Sequence, residues 1–355
     1  MYDILIIGAG PAGISAGIYA VSRGKKALVL EKGQVGGIIG KVSTVTHYTA
    51  IETRETGATF AARMKEQALR AGVEIVYANV TGVTLTGDVK TVTTDKGIYE
   101  AKRIILAGGG TPRKLGIPGE AELAGKGMGM NAARDGAAYT GKNIYVVGGA
   151  DGAVKEALYL ASFAKQLTII HFEDQLGCIA EFRQKVAAAG NIKLRLASRL
   201  HAVYGQDQVE RLEIASEHDG HIETVEDPGC GIFVYAGVVP NTELFTELTL
   251  ENGYIPTNEK METAIPGVYA AGDIRVKQVR QVDTPAEDSP RRKKDTPESG
   301  VSFSSLFQCV YRPAIPVSDV WGWVAFSAGA ATAAPTYSSR HWPLSCMALA
   351  ASLPT

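Results

Sequence analysis

Two stretches of the chain share one hydrophobic pattern. In the first, Ile4 to Ile7 is an unbroken run of β-branched and leucine residues, the pattern of a short strand buried on both faces. It runs into Gly8-Ala9-Gly10-Pro11-Ala12-Gly13; Ala16, Ile18, Tyr19, Ala20 and Val21 then predict a helix that Gly24 closes. Lys26 to Leu30 reads as the next strand, and Glu31 stands at its end, 18 residues after Gly13. Strand, glycine turn, helix and strand recur over Asn143–Glu173. Two such units predict an α/β chain with two Rossmann-like domains.

Each part of the first unit has a physical task. Gly8 permits a tight turn, Gly10 lets backbone approach a pyrophosphate, and Gly13 lets helix and strand pack closely. Pro11 and Ala12 open the helix, whose N–H groups and dipole favour phosphate. Glu31 accepts from ribose hydroxyls. The complete pattern predicts dinucleotide binding.

Composition narrows the classes. The 355 residues are 45% hydrophobic and 21% charged, with 36 basic against 37 acidic side chains. That balance gives no electrostatic case for nucleic acid or an anionic membrane. Cys178, Cys230, Cys309 and Cys346 show no C-x-x-C and no metal-ligand spacing, so no metal is expected and a reducing, cytoplasmic setting is. Met1 leads straight into the first strand without a leader pattern, and no apolar run reaches the ~20 residues of a membrane span. No Ser-His-Asp order, H-E-x-x-H or P-loop lysine is present. Residues 283–298 hold nine charges and three prolines, a linker composition, while 299–355 carry three charged residues and all three tryptophans without a clear period. That tail is expected to be an atypical appendage, disordered or the product of a frameshift.

Gly36-Gly37, Gly231 to Thr242 and Pro266-Gly-Val-Tyr-Ala-Ala-Gly272-Asp273-Ile-Arg275, followed by Arg280-Gln281-Val282, resemble bacterial low-molecular-weight thioredoxin reductase in order and spacing. The resemblance covers roughly residues 1–282. It implies an FAD-binding domain in two parts, 1–111 and 243–282, with an NAD(P)-binding-like domain, 112–242, inserted between them. It also implies FAD contacts from Gly36, Gly37, Gly109, Gly272, Asp273, Gln281 and Val282, a flavin contact from His47, and a homodimer.

The departures from that family bear on function. Its C-A-x-C-D-G segment reads Asn131-Ala132-Ala133-Arg134-Asp135-Gly136. Neither Asn131 nor Arg134 forms a thiolate or a disulphide, so dithiol exchange is not expected there. Asp135 matches the acid–base residue and is the one catalytic candidate. Arg134 reads either as a cation near the flavin or as a drifted position. In the second unit, Gly148-Gly149-Ala150-Asp151-Gly152-Ala153 has Ala150 for the second glycine, and the family's H-R-R reads His171-Phe172-Glu173. Gly148, Ala150, Asp151 and Ala153 are therefore a doubtful second nucleotide site. NADPH faces repulsion from Glu173, and NADH binding is weakened.

These readings lead to an FAD-dependent oxidoreductase that passes electrons through the flavin without a cysteine pair, from a ferredoxin- or flavodoxin-type donor rather than NADPH. The alternatives are a flavin- or nucleotide-binding protein without turnover, and a thioredoxin reductase homologue inactivated by loss of its cysteines and C-terminal helix.

Overall fold

The structure is a computed structural model that describes residues 1–48, 51, 54–129 and 131–277. Gln281, Val282 and the predicted linker and tail lie outside the described residues. The chain opens with β1 (Tyr2–Ile7), α1 (Pro11–Ser22) and β2 (Ala27–Glu31). Ile4, Leu5 and Ile6 are fully buried, because β1 is covered on both faces; this is the physical reason for its unbroken apolar run. α2 (Gly57–Arg70) starts on a reciprocal cap, with Thr56 and Thr59 hydroxyls each accepting from the other's backbone N–H at 3.1 Å. β3 (Glu74–Tyr77) follows, then the antiparallel run β4 (Val80–Thr84), β5 (Lys90–Thr94) and β6 (Gly97–Leu106).

After β7 (Gly110–Pro112) and β8 (Met128–Gly129), the short helix α3 (Ala132–Asp135) precedes the second unit. That unit is β9 (Asn143–Val147), α4 (Asp151–Leu160) and β10 (Gln166–Ile170), continued by α5 (Ala180–Ala188) and β11 (Ile192–Arg195). An antiparallel sheet comes next: β12 (Ser198–Tyr204), β13 (Arg211–Ser216) and β14 (Ile222–Glu226). β15 (Gly231–Val234), β16 (Val238–Pro240) and β17 (Val268–Ala270) are the last strands among the described residues.

The first sheet has the order β3-β2-β1-β6-β5-β4, with β17 beside the C-terminal half of β6. The second is parallel, β11-β10-β9-β15-β8. Its strands fall between two parts of the first sheet, and the two connecting segments pair as β7 and β16, Gly110 opposite Pro240. Asn241 ties this crossing: its amide donates to the Gly108 carbonyl at 2.8 Å, and the Thr111 hydroxyl donates to its amide oxygen at 2.7 Å. One face of the second sheet packs on α4 and α5 around Val154, Leu160 and Phe182; the other packs on Leu200, Leu212 and Ile214 of the antiparallel sheet.

The loop after β2 clasps the second unit. Both Glu156 carboxylate oxygens accept from the Ser43 N–H, at 3.2 and 3.3 Å, and Lys155 Nζ donates to the Thr44 carbonyl at 2.7 Å. Glu156 is 3% exposed and pairs with Lys155 at 3.5 Å. Removing one partner of such a pair strands the other charge in the interior. Glu156→Ala is therefore expected to lower stability by about 3 kcal/mol, read as a shift of the denaturant midpoint.

Candidate dinucleotide site

The turn from β1 into α1 shows why its glycines stand where they do. Gly8 has φ +104°, and a Cβ there would strike the Ala107 backbone. A Cβ on Gly13 would overlap the Gly8 carbonyl. Gly10 differs: it caps α1 in extended geometry (φ −70°, ψ −178°), and a Cβ on it would meet no protein atom within 4 Å. That open face at a helix N-terminus is the space a pyrophosphate needs. Pro11 and Ala12 open the helix beneath it. The Glu31 carboxylate spans the turn, accepting from Ala9 N–H at 2.9 Å and Gly33 N–H at 2.8 Å.

Gly36 and Gly37 both have positive φ (+118° and +58°), and a Cβ on Gly37 would come within 3.4 Å of Gly10 Cα. The Gly36 N–H donates to the Ala9 carbonyl at 2.9 Å. The Gly36-Gly37 loop is thus laced onto the first turn. Gly109 has φ +60° with open space on its Cβ side. A Cβ on Gly272 would come within 2.9 Å of Ala12 Cβ, which places the segment after β17 against the head of α1. Asp273 beside it pairs with Lys277 at 3.0 Å. The structure therefore gathers Gly8, Gly10, Pro11, Ala12, Gly13, Glu31, Gly36 and Gly37 around one turn, with Gly272 at its edge. The residues present fit a dinucleotide such as FAD.

His47 stands at the junction of the two units. Its φ is +58°, Nδ1 lies 3.0 Å from the Thr46 hydroxyl, and Nε2 lies 3.0 Å from a Glu181 oxygen on α5. Its ring also sits edge-on to Phe182, with centroids 5.5 Å apart. Both ring nitrogens therefore have protein partners, and the side chain extends the clasp between the two units.

At Asn131–Asp135 the chain forms a closed helical start. Asn131 caps α3, its side-chain oxygen accepting from Arg134 N–H at 3.0 Å, while its own N–H donates to Asp135 at 2.9 Å. The Arg134 guanidinium grips the Asp135 carboxylate through two bonds, 2.6 and 3.0 Å. The catalytic candidate is thus held by its sequence neighbour. Burial pushes the two thiols among the described residues upward: Cys178 above its ordinary value, and Cys230 to about 12. For Cys230, with an ordinary value of 9.0, the native state is favoured fully below pH 9 and loses that contribution as pH climbs towards 12. Alkylation of both thiols at pH 8 is expected to be ~100-fold slower in the native chain than in urea, read by peptide mass mapping.

In the second unit, Gly148 repeats Gly8, with φ +131° and a Cβ position blocked by the Tyr235 backbone. Ala150 repeats the Gly10 backbone (φ −82°, ψ 173°), but its methyl stands where Gly10 leaves space. Asp151 accepts from Ile179 N–H at 2.8 Å, and Ala153 is buried in the helix. The residues at this crevice fit a pyrophosphate less well than those of the first. Among the described residues no group of three or more His, Cys, Asp or Glu side chains is placed to hold a metal, and no helix is long and apolar enough to cross a membrane.

Residues 2–289 match the family model described as pyridine nucleotide-disulphide oxidoreductase. The chain belongs to that family. Within it, it is thioredoxin-reductase-like. It is 38% identical over 294 residues to a thioredoxin reductase of Peptoclostridium acidaminophilum, covering 81% of this chain and 93% of the relative. It is also 38% identical over 289 residues to the "34.2 kDa protein in rubredoxin operon" of Clostridium pasteurianum, with the same coverage. The crystal structure of Lactococcus lactis thioredoxin reductase in its FR conformation is similar, with a TM-score of 0.78 at 35% identity, covering 81% of this chain and 95% of that one. The family's flavoprotein oxidoreductase character and its Rossmann architecture are therefore this chain's as well.

Ser43 and Lys155 belong to no motif of the sequence, and Asn241 enters there only as part of the Gly231 to Thr242 segment. Glu156 did carry a signal, as an acid on the face of α4 that also presents Ala153, Val154, Ala157 and Leu160.

Proposed function

We propose that this chain is an FAD-dependent oxidoreductase that works without a redox-active cysteine pair and takes electrons from a ferredoxin- or flavodoxin-type protein rather than NADPH. FAD, when bound, supplies the electron-carrying chemistry. Gly8, Gly10, Pro11, Ala12 and Gly13 would hold its pyrophosphate, Glu31 its ribose, and Gly36, Gly37, Gly109, Gly272 and Asp273 the rest, in a homodimer with 112–242 as the inserted domain. The carrying observation is the turn at Asn131–Asp135, where an amide and an Arg–Asp pair stand in place of a dithiol. Ala150 and Glu173 argue against NADPH. The relative named for a rubredoxin operon supports a redox-protein partner.

The test is the visible spectrum of the full chain under anaerobic conditions, with reduced ferredoxin, NADPH and NADH added in turn. Bleaching by ferredoxin alone supports the reading. Rapid bleaching by NADPH overturns it, and a chain that binds flavin but is reduced by none of the three is a binding protein without turnover.

A further inference from the structure

A nicotinamide delivers two electrons and a proton together, as hydride. A protein that carries single electrons brings no hydrogen. Two-electron reduction of FAD still places a proton on N5 of the ring, so with such a donor the proton comes from a side chain or from water.

The loop after β2 leads to a polar group that the fold leaves unspent. It leaves the first turn at Gly36 and Gly37 and is then clamped on the start of α2. Gly57 N–H donates to the Val42 carbonyl at 3.1 Å, Val45 N–H donates to the Glu55 carbonyl at 2.8 Å, and a Cβ on Gly57 would strike the Ile39 carbonyl. Ser43 lies between these ties. It is 3% exposed, and its hydroxyl is buried without a hydrogen-bond partner among the described residues. Buried hydroxyls are seldom left so, and its position suits an acceptor that the chain itself does not supply.

Lys155 of α4 meets the loop at the same place. Its side chain is 16% exposed; Nζ donates to the Thr44 carbonyl at 2.7 Å and pairs with Glu156 at 3.5 Å. An ammonium has three N–H donors, and among the described residues the third has no partner. Glu156 is itself held by the Ser43 N–H, so the carboxylate fixes where the ammonium stands. Burial pushes the Lys155 ammonium below the usual lysine range, and the Glu156 charge opposes that shift. A proton held less tightly is more readily given up near neutral pH. The neighbouring groups are poorer donors. Burial and the Glu156 charge push the Tyr235 phenol upward, so it keeps its proton. Both His47 ring nitrogens are engaged, with Thr46 and Glu181.

We propose that Lys155 is the proton donor for flavin reduction in this chain. Two electrons arrive singly from the protein donor, the Lys155 ammonium gives one proton to N5, and the neutral amine regains a proton from water. FAD thereby gains two electrons and one proton and becomes its reduced anion. The buried Ser43 hydroxyl marks the side on which the acceptor lies.

The role of Lys155 rests on the electron-only donor proposed above, so the test takes its electrons from dithionite, which also brings no hydride and is independent of the protein donor's identity. The full FAD-loaded chain is mixed with dithionite anaerobically in a stopped-flow spectrometer, beside Lys155→Arg. Arginine keeps the charge next to Glu156 but does not release its proton. Lys155→Arg is expected to be reduced ~tenfold or more slowly than the parent, with FAD affinity and thermal midpoint unchanged. Lys155→Met combined with Glu156→Gln, which strands no charge, is expected to be as slow. A readout separate from reduction is acylation of the parent's amines by acetic anhydride, followed by peptide mapping. FAD is expected to protect Lys155 and to leave the exposed Lys114 as reactive as in the flavin-free chain. Reduction of Lys155→Arg at the parent's rate, or labelling of Lys155 that FAD leaves unchanged, overturns the proposal. Slow reduction of Lys155→Arg, in a chain whose parent dithionite reduces and ferredoxin does not, overturns the donor assignment and leaves Lys155 as the proton donor.

Discussion

Gly10→Ala is expected to leave the flavin-free fold as stable as the parent and to weaken FAD binding by ~tenfold or more, whereas Gly13→Ala damages the fold itself. The contrast follows from where each added methyl points. Gly10 sits in extended backbone that any residue adopts, and its Cβ position is open. Alanine is a poorer helix cap than glycine by a fraction of a kcal/mol. It also narrows the unfolded ensemble by about 0.4–1 kcal/mol. The two effects nearly cancel, so the thermal midpoint stays put while the methyl occupies pyrophosphate space. At Gly13 the methyl meets the Gly8 carbonyl, whose own residue is pinned by the 2.8 Å bond from Gly8 N–H to Leu30. Helix propensity returns about 1 kcal/mol. Overpacking against fixed backbone costs more, leaving a net loss of about 2 kcal/mol. The second unit has its backbone set around Ala153 at the matching position; the first does not. Denaturant melts of flavin-free protein and flavin titrations, run on both variants, separate the two effects. A Gly10→Ala chain that binds FAD like the parent removes the pyrophosphate from that turn.

The same turn shows what is legible in a sequence. Strand, glycines, helix and acid lie within about thirty residues, and their contacts are local, so Gly8 to Gly13 and Glu31 announce their arrangement directly. His47 is the opposite case. Its ring partners on one side come from Glu181 and Phe182, more than a hundred residues away, and only the docking of the first-unit loop on α5 decides that. The antiparallel sheet β12–β14 leaves a trace in the sequence, since Ser198, Leu200 and Ala202 alternate with exposed Arg199 and His201 in the period of a half-buried strand. Two-residue β8 has no period at all. The Arg134–Asp135 grip needs no long-range contact. No periodicity marks it, because each residue of the pair reads equally well as a lone exposed charge.

That grip makes the second prediction the more demanding one. Asn131→Cys combined with Arg134→Cys is expected to raise donor-driven disulphide reduction at least ~tenfold above the parent's background, while either single change stays at background. Positions 131 and 134 stand one turn apart at the start of α3, so their side chains share a face at a spacing a disulphide spans. Position 134 is well exposed, with its side chain at 67%, so a thiol there meets a substrate disulphide. The helix N-terminus favours the thiolate. Losing the Asn131 cap costs about 1 kcal/mol, small against the stability of a chain this size. Removing Arg134 also takes away the guanidinium that grips Asp135 and leaves that carboxylate beside the new pair, in the setting where the family resemblance gives it an acid–base role. Mass spectrometry first establishes that the disulphide has formed, by the loss of two hydrogens. A disulphide that forms but stays oxidised while the flavin is reduced means that the turn and the flavin no longer exchange electrons; the change of chemistry in this chain then lies in how its two units dock, through Ser43, His47, Glu156 and Glu181, and not in the cysteines alone.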